Sequence, residues 1–385
     1  MDEVKMGVIG FGNMGTSHAQ NIMQGKVPGM KLAAICDISE PRREAAKKAY
    51  PDVPVFENAE EMYKSGVCNA VVIAVPHYDH PPLAIRAFDY GLNVITEKPA
   101  GVYTKQVKEM NEAAKKSGKL FGIMYNQRTR PVYQKLREMI QRGDLGDIKR
   151  ITWIITDWYR PQAYHDSSTW RSTWKTEGGG ALINQNPHQL DLWQWLFGMP
   201  DRIFAKASFG KYYNIEVEDD VMAYMEYDNG TTGEYITSTG ETPGTNRLEI
   251  ACNMGKVVIE NNTLMFYRNV ISEREYNKIN KQPFGQPDCW ECKIPADFSG
   301  PEHVGIFRNF ANVLLHGGKL IAPGEEGING LTISNSIHLS AWTGETVDVK
   351  NFPDDRFYEL LQEKIRTSTV VKKDQQIIVD NTTTY

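Results

Sequence analysis

The sequence predicts an α/β chain in two parts: a doubly wound parallel sheet, then an α+β part built on a large, mostly antiparallel sheet. Three observations point this way. Up to about residue 128, short runs that are apolar almost throughout alternate with amphipathic stretches. That is the pattern of strands buried on both faces and of the helices that cover them. From about residue 147, strand-like runs follow one another across Asn-Gly, Gly and Pro turn signals, with few long helical stretches between them. Finally, 385 residues exceed what one ordinary core holds, since domains commonly run to roughly 100–200 residues.

In the first part the expected strands are 5–9, 31–36, 70–75, 92–96 and 120–125. Helices are expected at 80–90 and at 104–117, where Val107, Met110, Ala113 and Ala114 share one face before Gly118 stops the turn. A helix over 132–142 leads into the second part, whose strands are expected at 148–159, 202–209, 221–227, 231–238, 247–252 and 256–259. Helices over 187–197, 302–315 and 327–342 interrupt them. The expected division is a first domain over 1–128 and a second over 129–385, with a polar tail from about 366.

Composition narrows the class. Apolar residues make up 41%, charged residues 24%, and the net charge is −5 with the signs interleaved, the balance of a soluble globular protein. Neither a nucleic-acid partner nor a membrane surface is expected from that charge. No run approaches the roughly 18–20 apolar residues of a membrane span, and Met1-Asp2-Glu3-Val4-Lys5 enters an apolar run without a cationic and apolar leader. A cytoplasmic protein is expected. Five cysteines do not make a disulfide framework. Cys289-Trp290-Glu291-Cys292 lacks the second ligand pair a zinc site needs, and Lys293-Ile294-Pro295 follows where a redox motif would open a helix. No metal is expected.

Directly after the first strand stands Gly10-Phe11-Gly12-Asn13-Met14-Gly15, a G-x-G-x-x-G pattern at the opening of a helix. Gly10 permits the tight turn, Gly12 lets backbone approach a pyrophosphate, and Gly15 lets helix pack on strand. The helix start offers free N–H groups and the positive end of its dipole to the phosphates. Asp37 closes the second strand roughly 20 residues on, where an acid binds the ribose hydroxyls and repels a 2′-phosphate. This favours NAD; Arg42 and Arg43 keep NADP open as the less favoured cofactor, and Asp37 could instead cap the helix near Pro41.

Further motifs fall at strand ends. Ala74-Val75-Pro76-His77-Tyr78-Asp79-His80 and Thr96-Glu97-Lys98-Pro99 lie at the carboxyl edge of the sheet, where open α/β folds bind ligands. Glu97-Lys98-Pro99 resembles the hallmark of the glucose-fructose oxidoreductase and inositol dehydrogenase family (Gfo/Idh/MocA). The preceding segment resembles that family's T-P-x-x-x-H, with Val75 in place of the threonine and His80 at the histidine. Trp170-Arg171 and the run from Glu177-Gly178-Gly179-Gly180 through Asn184, Pro187 and His188 to Asp191 resemble its W-R and G-G-G-x-L-x-D-x-x-x-H-x-x-D stretches. The segments 334–337 and 340–344 resemble its last long helix, so the likeness covers residues 1 to about 350. It implies that Lys98, Asn184 and His188 form the catalytic site. It also implies that Val75, Pro76, His80, Glu97, Lys98, Gln127, Trp170 and Arg171 join the glycine loop and Asp37 around the cofactor. A homodimer or homotetramer through the second sheet is implied as well. The chain departs from the family at Asn184, where many members carry aspartate; an amide exchanges no proton at neutral pH, which leaves acid/base work to Lys98 or His188.

Oxidising a secondary alcohol takes a hydride from carbon while a base takes the hydroxyl proton. A histidine in the first turn of a helix tends to stay neutral and able to accept one, and His188 follows Pro187, a first-turn residue. Asp191, three residues on, is placed to reach its ring if the helix is regular. Lys98 is suited to hold the substrate oxygen and stabilise alkoxide character, and Asn184 to orient a hydroxyl. For the substrate, Asp157, Tyr159, Arg160 and Tyr164 mix aromatic faces with polar groups, which suits a sugar or glycoside; half-buried sheet aromatics would look the same. The expected activity is NAD-dependent oxidation of a secondary hydroxyl of a sugar, glycoside or cyclitol; the Asn-Gln form of the helix motif resembles a branch of the family associated with oxidation at ring carbon 3, which implies that carbon of a glucoside. The alternatives are a glycosidase that oxidises transiently with NAD, and a silent sugar- or redox-sensing regulator.

Overall fold

The computed structural model describes residues 2–296 and 299–372. Six strands form the first sheet: β1 Val4–Ile9, β2 Met30–Cys36, β3 Val55–Phe56, β4 Ala70–Ile73, β5 Asn93–Thr96 and β6 Phe121–Ile123. They run parallel in the order β3-β2-β1-β4-β5-β6. The order reverses between β1 and β4, which opens a crevice at the carboxyl ends of those two strands. Each expected strand is present, shortened where its last residues leave the ladder. β3 has no counterpart among the expected strands, because two half-buried edge residues carry no periodicity to read.

The core of this sheet is not closed by the first third of the chain alone. Helix Glu302–His316 returns to it and buries Ile306, Phe307, Phe310 and Ala311 among the residues of β1, β4 and β6.

The second sheet has nine strands: β7 Ile148–Ile155, β8 Arg202–Phe209, β9 Glu218–Glu226, β10 Thr232–Ser238, β11 Asn246–Cys252, β12 Gly255–Glu260, β13 Thr263–Asn269, β14 Cys289–Ile294 and β15 Val347–Asp348. Their order is β14-β13-β12-β11-β7-β10-β9-β8-β15, and only the β7–β10 pair is parallel. The strand expected over 148–159 stops at Ile155. Its neighbours supply the reason: β10 pairs only as far as Thr237 with Ile155, and β11 begins at Asn246 opposite the same residue. The inner face packs on helix Pro187–Phe197, and Gly233 is bare because a Cβ there would come 2.5 Å from the ring of Trp193.

β14 is exposed along most of its length, so it has no apolar alternation to announce it. Cys289 and Cys292 are an odd number of residues apart on it, which sends their side chains to opposite faces; both thiols are free. Helix Asp354–Thr367 runs into the stretch expected as a polar tail from 366; residues 368–372 follow it without regular structure, and the rest of that tail lies outside the described residues. Among the described residues no helix is long and apolar enough to cross a membrane.

Candidate active site

The glycine loop joins β1 to helix Asn13–Met23. Gly10 sits at φ +88°, and a Cβ on it would lie 2.4 Å from the Ala74 carbonyl; a Cβ on Gly15 would lie 1.8 Å from the Gly10 carbonyl. Packing therefore demands both. Gly12 differs, since a Cβ there would meet nothing closer than Arg42 at 3.5 Å. Its bareness serves whatever approaches the helix start from the crevice. That crevice has two adjoining chambers. One of about 610 Å³ lies against Gly10, Asp37, Ile38, Val75 and Pro76, and is lined mainly by apolar groups. The other, of about 440 Å³, is walled by Gly12, Asn13, Met14, Lys98, Trp170, Arg171 and Asn184. A bare loop, an open helix start and an acid at the end of β2 fit a dinucleotide.

Asp37 does more than face the crevice. Its Oδ2 accepts from the Phe11 N–H at 2.7 Å and its Oδ1 from the Ser39 N–H at 2.8 Å, so it braces the glycine loop. Arg42 stands 3.6 Å from the same carboxylate.

His80, expected beside the cofactor, is fully buried behind the wall. Its Nδ1 lies 2.7 Å from the Pro99 carbonyl and its Nε2 2.8 Å from that of Val75; burial favours the neutral ring, which donates to one of the two while wedged between the loops that follow β4 and β5. Glu97 also lines the crevice, with Oε1 2.6 Å from His18 Nε2. Burial opposes its charge, but the hydrogen bond and charge of His18, with His303 and Lys98 nearby, hold the carboxyl at about 2.

Lys98, at the end of β5, reaches across to the second part of the chain: its Nζ donates to the main-chain carbonyl of Asn184 at 2.9 Å. Burial lowers its pKa, Arg171 and Arg160 push the same way, and Glu97 and Glu177 oppose them. Asn184 closes the short helix Ala181–Asn184. Its start is fixed by Glu218 on β9, whose Oε1 accepts from the N–H groups of Gly180 and Leu182, both at 2.9 Å. The Asn184 amide nitrogen donates to Glu177 Oε1.

His188 stands in the first turn of helix Pro187–Phe197 and is 6% exposed. Burial pushes its pKa well below 6.5, and the charges of Lys98 and His303 add to the effect. Its ring lies edge-on to Tyr125, and its Nδ1 is buried with no hydrogen-bond partner among the described residues. Asp191 is not that partner. Both its oxygens are taken by the buried guanidinium of Arg128, at 2.8 and 2.6 Å, with Gln194 adding a bond at 3.0 Å.

The guanidiniums of Arg160 and Arg171 both lie over the Tyr164 ring, 5.1 and 4.4 Å from its centre. Its hydroxyl accepts from Arg171 at 2.5 Å and from Gln185 at 3.0 Å. Asp157 is exposed and accepts from Asn246, Tyr159 is 43% exposed, and Gln127 is buried against Gln189. None of the three belongs to the wall of the 440 Å³ chamber, nor does His188. Of the expected residues, Lys98, Asn184, Trp170, Arg171, Glu97, Val75 and Pro76 meet the glycine loop around one cleft. Sequence reasoning missed His18, His77, Arg128 and Glu177 as members of the site. Glu177 heads the Gly-Gly-Gly run, which was the available signal; nothing local marks His18 or Arg128, whose partners lie far along the chain.

Known proteins resemble the chain in sequence and fold. The model of the oxidoreductase family with an NAD-binding Rossmann fold (GFO/IDH/MocA) matches residues 4–125, and that of the GFO/IDH/MocA C-terminal domain matches residues 133–258. The scyllo-inositol 2-dehydrogenase (NAD(+)) of Bacillus subtilis is 25% identical over 264 residues, 67% of this chain and 74% of the relative. The D-glucoside 3-dehydrogenase of Escherichia coli is 26% identical over 221 residues, 52% of this chain and 60% of the relative. Among solved structures, the WlbA dehydrogenase from Bordetella pertussis in complex with NADH and UDP-GlcNAcA superposes with a TM-score of 0.75 at 26% identity, covering 89% of this chain and 98% of that one.

Proposed function

This chain belongs to the GFO/IDH/MocA family of oxidoreductases with an NAD-binding Rossmann domain, and from that premise we propose that it oxidises a secondary hydroxyl of a sugar, glycoside or cyclitol with NAD as hydride acceptor. The observation that carries this reading is the Lys98 ammonium, held at the cleft wall opposite the glycine loop by a bond to Asn184 on the other part of the chain. There it meets a substrate oxygen and stabilises the alkoxide character that develops as the proton leaves. His188 lies outside the chamber wall, buried, neutral and near enough to feel the charge of Lys98; in this reading it takes that proton once substrate is bound. Asn184 orients a hydroxyl, and Tyr164 with Arg160 offers a ring face and a donor to the sugar, with Tyr159 and Asp157 farther out.

The likeness to the Escherichia coli D-glucoside 3-dehydrogenase supports ring carbon 3 of a glucoside as the site of oxidation. Copies of the chain pair through the outer face of the second sheet, where Phe204, Met222 and Tyr224 stand exposed; light scattering that returns only the monomer mass removes this part.

The test is to purify the protein, assay it for bound NAD(H), and screen sugars, glycosides and inositols for NADH absorbance and keto products. Turnover of a sugar hydroxyl is expected. A protein that takes up no dinucleotide contradicts the reading. Glycoside cleavage with no net NADH would mark a transient oxidation, and binding without conversion a sensor.

A further inference from the structure

We propose that Glu177 sets the chemical identity and the orientation of residue 184: its carboxylate requires an amide there and turns the amide oxygen toward the substrate, so that the pair recognises a sugar hydroxyl as a hydrogen-bond donor. The substrate half of this rests on the function proposed above.

Glu177 is 2% exposed and its carboxylate is fully engaged. Oε1 accepts from the Asn184 amide nitrogen, and Oε2 from the Ser172 N–H. Arg171 stands 3.9 Å from Oε1 but spends its short hydrogen bond on the Tyr164 hydroxyl. The main-chain carbonyl of Glu177 meets His77 Nδ1 at 2.9 Å, which fixes the residue from a second side. Burial, with the charge of Glu218, raises the pKa of Glu177, while Arg171, the Asn184 amide and the Ser172 N–H favour its ionised form; once ionised, the carboxylate only accepts. Asn184 must therefore present its NH₂ group to Glu177, which leaves Oδ1 as the end available to a ligand in the chamber that Asn184 lines. With the main-chain carbonyl of the same residue already accepting from Lys98, one residue places the ammonium and offers a hydroxyl acceptor beside it.

An aspartate at 184 would put two carboxylates in contact, with Arg171 3.9 Å from Glu177 Oε1 and Lys98 on the main-chain carbonyl of residue 184 as the cations beside them. Two such groups share one proton over a wide pH range instead of ionising together. This coupling gives a physical reason for the amide at a position where the family pattern has aspartate.

Four proteins test it: the wild type, Asn184→Asp, Glu177→Gln and the double exchange. Thermal melts without substrate read the coupling directly. In Asn184→Asp one carboxyl has a folded pKa raised above its unfolded value, so its protonated folded form is favoured and stability is lost as pH rises. The expected melting temperature approaches that of the wild type near pH 4, where the unfolded carboxyl also binds its proton, and falls about 3 °C or more below it by pH 8. The double exchange, which restores one charge and one amide, returns the wild-type dependence. A deficit of Asn184→Asp that is constant across pH, or that the double exchange leaves in place, overturns the coupling. Kinetics with NAD and a methyl glucoside read the substrate half: Glu177→Gln, which frees the amide to flip, raises KM for the sugar about tenfold with NAD affinity unchanged. An unchanged sugar KM overturns that half. Should the coupling hold in a protein that oxidises no sugar, it is the function proposed above that fails, and the substrate half with it.

Discussion

A lysine whose ammonium is buried beside two arginines, and a histidine that burial keeps neutral, set opposite limits on pH. His188 must be deprotonated to accept a proton, and its pKa lies well below 6.5; Lys98 must be protonated to hold the oxygen, and its pKa lies below 10.5. The profile of kcat/KM is therefore expected to lose activity in acid only below pH 6.5, and in base already below pH 10.5. Lys98→Met should lower kcat by about 10²–10³-fold while dinucleotide affinity, followed by fluorescence titration, stays within a few fold. An unshifted profile in that variant would show that the lysine is not among the titrating groups. Lys98 and Asn184 could be found in the sequence because each sits in a short motif at the end of an element. The partner of Asp191 could not: helical spacing pointed to His188, while the guanidinium that takes the carboxylate comes from Arg128, 63 positions earlier. The same distance hides the His18 to Glu97 contact, which joins residues 79 positions apart.

Strands with a long or fully buried apolar run were legible, the buried edge strand β6 among them, whereas β13, which lies between β12 and β14, was not expected. The inner strands β1, β4 and β5 are apolar almost throughout, and β8 to β12 alternate or lie between turn signals, so their existence follows from the pattern. β3, β14 and β15 are short or exposed, and without a buried face they leave no pattern. The site helix Ala181–Asn184 is too short to stabilise itself and depends on its cap from β9. Glu218→Ala removes the acceptor for the Gly180 and Leu182 N–H groups. It is expected to cost about 2–3 kcal/mol in chemical denaturation, the range of a charged acceptor lost from buried donors. It should also weaken turnover, since Lys98 hangs on the carbonyl at the far end of that helix. Full stability in this variant would mean that the cap is dispensable.

At the scale of the whole molecule, the chain crosses the cleft repeatedly, through Lys98 to Asn184, Arg128 to Asp191 and the return of helix Glu302–His316 to the first core. A linear division of the sequence cannot anticipate such returns. Burial also makes the fold sensitive to acid. His77, His80, His165, His188 and His303, five of the eight histidines, are held below their ordinary range, His165 and His303 to about 4. The unfolded chain binds the protons that these rings refuse, so stability is complete above about pH 6.5 and is lost as pH falls toward 4. His303 alone contributes on the order of 3 kcal/mol to that loss. Melting temperatures that stay flat from pH 7 to 4.5 would contradict this. The most direct test of the central claim is to incubate the enzyme with NAD and a glucoside deuterated at every ring carbon, then weigh the dinucleotide by mass spectrometry. Transfer from a sugar carbon across the Lys98 cleft predicts reduced dinucleotide that carries a single deuterium, formed about 10²–10³-fold more slowly in Lys98→Met; reduced dinucleotide without deuterium, or none reduced by any sugar offered, would contradict it.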